Sequence, residues 1–163
     1  MSVHNPVGPV GAIYVLYQDF ISKGNVGIGE TILSTFALPA NFLNANGSGI
    51  RIHTFGTVAS NGNVKRIRLF FGGTGGTELC NNTVDVASST FWQMEARVHR
   101  TGVGTQVAYG YRLISTITNY RFATTFPVQD ETLPINIQMV CPSAVATGDV
   151  VFKGMVIEAL PSV

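Results

Sequence analysis

FWQMEARVHRTG, residues 91–102, sets Trp92, Met94, Ala96 and Val98 against Gln93, Glu95, Arg97 and His99 before it stops at Gly102. A period of two sends successive side chains to opposite faces of an extended chain, so this stretch predicts a strand with one buried and one wet face. The same alternation runs through Ile50 and Ile52 against Arg51 and His53. It recurs in Ile67, Leu69 and Phe71 against Arg66, Arg68 and Phe70. Runs rich in β-branched and aromatic residues at 12–21, 30–38, 105–115, 119–126, 133–140 and 150–160 bring the expected strands to about nine.

Turn signals punctuate these runs: Asn46-Gly47, Asn61-Gly62, the glycine cluster 72–76, Thr101 to Gly104, and Gly148-Asp149. No segment has sustained helical periodicity; Pro39 to Leu43 predicts one turn at most. Many short strands at this spacing predict an all-β protein, a single antiparallel β-sandwich of jelly-roll type. Residues 1–25 read as an amino-terminal arm plus the first strand, and residues 26–163 as the sandwich.

Charged residues make up 12% of the 163-residue chain, about half the usual share of roughly 25%. With a net charge of +1, the chain lacks the long-range field that attracts nucleic acid or an anionic membrane, and neither is an expected partner. No apolar run approaches the roughly 20 residues of a helical membrane span. The start, MSVHNPVGPVG, has no Lys or Arg before Lys23 and does not resemble a secretory signal. Its proline and glycines suit either a docking arm over residues 1–11 or a frayed end. Asn46-Gly47-Ser48 and Asn81-Asn82-Thr83 fit the glycosylation pattern, but turn formation accounts for them without it. Cys80 and Cys141 lack metal-ligand spacing, and two buried free thiols are expected in preference to a single bridge between them.

Two segments look apolar on both faces. In VVFKGMVIEAL, residues 150–160, Val150, Phe152 and Val156 share one parity, and Val151, Met155, Ile157 and Ala159 the other; IYVLY, residues 13–17, behaves likewise. A sandwich strand normally wets one face. The doubled apolarity therefore predicts an interface between copies at Tyr14, Leu16, Val151, Met155 and Ile157, with the amino-terminal segment as the competing cover.

Candidate chemical sites are weak. Glu95, Arg97 and His99 share a face without a nucleophile and read as a solvated strand face with cross-strand pairing. FFGGTGGTELC, residues 70–80, lacks the Gly-Lys-Ser/Thr ending of a phosphate loop and predicts a wide hairpin or corner. His4, His53 and His99 have no metal-ligand spacing. Asp130-Glu131 reads as a solvated turn, Trp92 as core, and Arg51, Arg66 and Arg68 as a solubilising face or, alternatively, a small basic patch for an acidic sugar or a partner carboxylate. No cofactor or metal is implied, and nine acidic residues scattered along the chain do not suggest the paired carboxylates of a glycosidase.

LPANFLNANGSGIRIHTFGTVASNGNVKRIRLFFGGT, residues 38–74, and FWQMEARVHRTGVGTQVAYGY, residues 91–111, together resemble a domain of tailed-bacteriophage virion proteins. The resemblance rests on Ala-Asn-Gly before a strand, Asn-Gly-Asn before a basic strand ending Phe-Gly-Gly, a Trp strand ending Arg-Thr-Gly, and a last strand like 150–160. It covers roughly residues 30–160 and implies a jelly roll, often a homotrimer, located in the virion. The short chain favours a non-enzymatic capsid decoration or cement protein that binds the major capsid protein. The alternative is a tail-fibre or appendage module that binds a host-surface glycan through aromatics such as Tyr109, Tyr111, Tyr120 or Phe126.

Overall fold

A computed structural model describes residues 13–84, 90–114 and 123–161. Its strands are β1 (Tyr14–Asp19), β2 (Lys23–Gly24), β3 (Thr31–Leu38), β4 (Gly49–Val58), β5 (Lys65–Phe71), β6 (Thr77–Val84), β7 (Thr90–Gly102), β8 (Thr105–Ile114), β9 (Ala123–Thr125), β10 (Ile135–Cys141) and β11 (Val150–Leu160). They form two antiparallel sheets. One runs β1-β11-β4-β7-β8-β9, with β2 also on β11; the other runs β3-β10-β5-β6. The all-β sandwich expected from the alternation is what the chain forms.

The inward phase of each strand fills the space between the sheets. Ile50 and Ile52 of β4, Trp92, Met94, Ala96 and Val98 of β7, Ile67, Leu69 and Phe71 of β5, and Ile137 and Met139 of β10 are all buried in one core. Trp92 is fully buried there, and its Nε1–H donates to the Thr57 carbonyl at 3.2 Å. Gly56, opposite Trp92, makes room for the indole: a Cβ at that position would lie 2.6 Å from the ring and 2.0 Å from the Val151 carbonyl oxygen.

The two segments that look apolar on both faces are bulged strands. In β11 the partner of β4 steps from Phe152↔Gly56 to Gly154↔Phe55, leaving Lys153 as an extra residue. One extra residue reverses the side-chain phase. Val150 and Phe152 point inward before the bulge, and Met155, Ile157 and Ala159 point inward after it. In β1 the extra residue is Leu16, between Val15↔Glu158 and Tyr17↔Ile157. Met155 and Ile157 are therefore core residues, which corrects their assignment to an interface. Leu16 packs against the core, Tyr14 stands opposite inward-facing Ala159, and Val151 remains half-buried on the outer side. The first strand lies within the sheet, while the arm over residues 1–11 lies outside the described residues.

Two strands escape the alternation argument. β2 has two residues, and β6 carries Asn81 and Asn82, which read as a turn but pair with Arg68 and Ile67. As an edge strand of its sheet, β6 accepts polar residues that a central strand would not. The glycine cluster closes the β5–β6 hairpin, with Gly72 and Gly73 at positive φ and both amides donating to the Asn136 carbonyl. Pro39 to Leu43 forms a turn closed by the Phe42 amide on the Pro39 carbonyl.

Polar knots fix both ends of the sandwich. At one end Asp149, buried, accepts from Asn61 Nδ2 at 2.8 Å, Asn63 Nδ2 at 3.0 Å and the Val145 and Ala146 amides at 3.2 and 2.7 Å. Beside it Asn25 joins Gly27, Ala146 and Val150, and buried Lys65 donates to the Asn61 carbonyl at 2.6 Å. At the other end Glu131, only 6% exposed, accepts from Arg100 Nε at 2.6 Å and the Gly104 amide at 2.7 Å. This corrects the reading of Asp130-Glu131 as a wholly solvated turn. Asp130 does face water and caps Thr132, but Glu131 ties the β7–β8 turn to the segment before β10.

Cys80 and Cys141 are both buried and free. Burial pushes the Cys80 thiol up to about 12 and the Cys141 thiol up to about 11. Thiolate, not thiol, is the nucleophile. At pH 8 Ellman's reagent should therefore titrate neither thiol in the folded protein within minutes, and both once the chain is denatured. A stoichiometric reaction in the native state would contradict this placement.

Candidate functional site

The outward phase of the seven-stranded sheet carries the polar half of the opening motif. Arg51 and His53 of β4, Gln93 and Glu95 of β7, and Val156 and Glu158 of β11 line a shallow depression of about 250 Å³. Register brings them together: Arg51 stands opposite Glu158, and His53 opposite both Val156 and Glu95.

Arg51 contacts Glu158 Oε2 through Nε at 2.6 Å and its second guanidinium nitrogen at 2.5 Å. Glu95 accepts from Arg97 Nε at 3.3 Å and from the Tyr111 hydroxyl at 3.0 Å. Tyr111 also hydrogen-bonds Gln93; its own burial, then its bond to Glu95, raises its pKa and keeps it a donor. Arg97 is held charged above its ordinary range chiefly by a hydrogen bond with Tyr109. The result is a continuous network, Gln93 to Tyr111 to Glu95 to Arg97 to Tyr109, across β7 and β8. His53 is the exception. Its Nε2 is occluded with no hydrogen-bond partner among the described residues, and its ring lies 5.6 Å from that of Phe55.

Glu95, Arg97 and His99 thus occupy one face, as expected, and the pairing there is electrostatic. His99 sits at its margin, with Nδ1 3.5 Å from the Gly47 carbonyl and its ring stacked 6.1 Å from Tyr109. The basic patch is not formed. Arg51 lies on the seven-stranded sheet, whereas Arg66 and Arg68 belong to β5 of the other, where Arg68 pairs with Glu78 at 3.2 Å. Alternation predicts the phase of each strand but not which sheet receives it. His53, Gln93 and Glu158 carried no site signal in the sequence, because cross-strand register alone makes them neighbours. Among the described residues no group of three His, Cys, Asp or Glu side chains could hold a metal ion. Tyr120 lies outside the described residues.

No protein-family model and no curated protein matches this chain. Among solved structures, the CBM2 module of the Lactobacillus casei BL23 phage J-1 evolved Dit is similar with a TM-score of 0.42 and 12% identity, over 79% of this chain and 69% of that one. A structure of infectious bursal disease virus, Gx strain, gives a TM-score of 0.28 and 11% identity over 92% of this chain and 42% of that one. The VP2 subviral particle of infectious bursal disease virus gives 0.28 and 10% over 98% and 45%. The chain thus spans less than half of the two infectious bursal disease virus chains. Scores of this size assign no function.

Proposed function

We propose that this chain is a non-enzymatic structural protein of a tailed-bacteriophage virion, a homotrimeric decoration protein that docks on the major capsid protein. The observation that carries the docking is an apolar tip whose loops are joined by hydrogen bonds. Val103 (85% exposed) lies in the β7–β8 turn, and Phe126 (75%), Val128 (72%) and Leu133 lie between β9 and β10. Exposed apolar groups on ordered loops are characteristic of protein-binding surfaces. Here the loops are stapled by Glu131 to Gly104 and by reciprocal bonds of Gln106 and Gln129 at 3.0 Å. Little ordering entropy then opposes docking.

The strand order supports the jelly-roll reading. β1-β11-β4-β7 facing β3-β10-β5-β6 has the connectivity of two interlocked Greek keys, with β8 and β9 inserted between β7 and β10. The apolar tip flanks that insertion. The motifs behind the family resemblance also meet in space: Asn46 and Gly47 bond Arg100, and Asn61 and Asn63 bond Asp149. They act as anchors of loops, in keeping with a building block. The trimer rests on the family resemblance, since Met155 and Ile157 of the expected interface turn inward.

Replacing Val103 and Phe126 by serine should weaken binding to purified heads by about tenfold or more while leaving the thermal midpoint within about 2 °C, because neither residue is buried. Immunogold labelling of the virion, with light scattering for copy number, tests the rest. Labelled heads and three copies support the decoration role, tail-tip labelling replaces it with attachment, and an unlabelled virion overturns it.

A further inference from the structure

We propose that the depression on the outer face of the seven-stranded sheet binds one neutral hexopyranose unit of a glycan. This goes beyond the decoration role, and it is tested on the isolated chain, so either can fail without the other. The charge balance selects the ligand class. Each carboxylate in the depression is already matched by an arginine, Glu158 by Arg51 and Glu95 by Arg97. An anionic ligand would face Glu95 and Glu158, and a cationic one would face Arg51. A hydroxyl both donates and accepts, so a vicinal pair suits a mixed lining.

The lining offers that mixture. Both Arg51 contacts fall on Glu158 Oε2, leaving Oε1 without a protein donor among the described residues. The guanidinium keeps further N–H groups beside it, and Gln93 adds an amide. Val156 supplies an apolar contact for the ring C–H groups. The volume of about 250 Å³ lies below the roughly 300–1,000 Å³ of drug-sized sites, which limits the occupant to about one sugar ring. The network through Tyr111, Glu95 and Arg97 holds the wall in place before any ligand arrives.

His53 supplies the second, independent observation. A buried polar atom without a partner opposes folding, so its presence calls for a reason other than stability. His53 lines the depression, so a rearrangement of its ring that exposed Nε2 there would let a sugar hydroxyl complete it. His53→Leu therefore separates a binding role from a packing role.

The experiment is a ¹⁵N–¹H titration of the full chain with methyl glucopyranoside, methyl galactopyranoside and methyl rhamnopyranoside, each to about 50 mM, and with glucuronate as the charged control. At least one neutral glycoside is expected to shift the amides of Arg51, His53, Gln93, Glu95, Val156 and Glu158 with a Kd of roughly 1–10 mM. Glucuronate should bind no more tightly. His53→Leu and Gln93→Leu should each weaken binding about tenfold, a factor that corresponds to one lost hydrogen bond in a formed site, and His53→Leu should keep or raise the thermal midpoint. The proposal is overturned if none of the three glycosides shifts this face, if glucuronate binds more tightly, or if His53→Leu lowers the midpoint or leaves affinity unchanged.

Discussion

Trp92→Ala is expected to cost about 3–5 kcal/mol, the range for removing a large aromatic from a packed core. Against a total stability of roughly 5–15 kcal/mol, that leaves the variant marginal or unfolded at room temperature. The size follows from three facts: the side chain is fully buried, it packs where the two sheets face each other, and its Nε1–H is satisfied by the Thr57 carbonyl. Trp92→Phe keeps an aromatic ring and should lose less, about 1–2 kcal/mol for the hydrogen bond and the smaller volume. Because Trp92 is the chain's one tryptophan, urea unfolding should be followed by circular dichroism. Gly56→Ala should destabilise as well, and Trp92→Leu should not rescue it, since the nearest atom to the new methyl is the Val151 backbone carbonyl and not the ring. A loss below about 1 kcal/mol for Trp92→Ala would mean that the indole does not sit between the sheets.

Asp149→Asn is expected to cost about 3 kcal/mol at neutral pH, with a characteristic acid dependence. The carboxylate accepts from two asparagine amides and two backbone amides, and hydrogen bonds to a charged acceptor contribute roughly 1.5–3 kcal/mol each before offsets. An asparagine there would aim its own N–H groups at donors. Burial by itself pushes the Asp149 carboxyl up, but the hydrogen bonds from Asn61, Ala146, Asn63 and Val145 outweigh it and hold the pKa below the ordinary value. A depressed folded pKa contributes stability that is present above the unfolded value and is lost as pH falls through the folded one. The gap between wild type and Asp149→Asn should therefore be full at pH 7 and shrink below about pH 4. A gap that stays constant to pH 2 would show that the charge contributes nothing to this knot.

Strand phase was legible from the chain alone. Trp92, Met94, Ala96 and Val98 point inward, and Gln93, Glu95, Arg97 and His99 outward, as two-residue alternation requires. Turn residues were legible too, at Asn46-Gly47, the glycine cluster and Gly148-Asp149, because left-handed backbone selects glycine. The candidate site was half legible. Glu95 and Arg97 stood out as a polar strand face, whereas His53, Gln93 and Glu158 joined it only through the registers of β4, β7 and β11.

Composition and periodicity by themselves determined an antiparallel all-β chain, because burial on one face of an extended backbone leaves a mark on every second residue. Only the tertiary structure decided the rest. The bulges at Leu16 and Lys153 reversed the phase of β1 and β11 and placed Met155 and Ile157 in the core, and a single inserted residue has no signature in an apolar run. The separation of Arg51 from Arg66 and Arg68, and the burial of Glu131, were likewise settled by which strands pair and which loops converge. Those are long-range contacts, and residue spacing along the chain does not encode them.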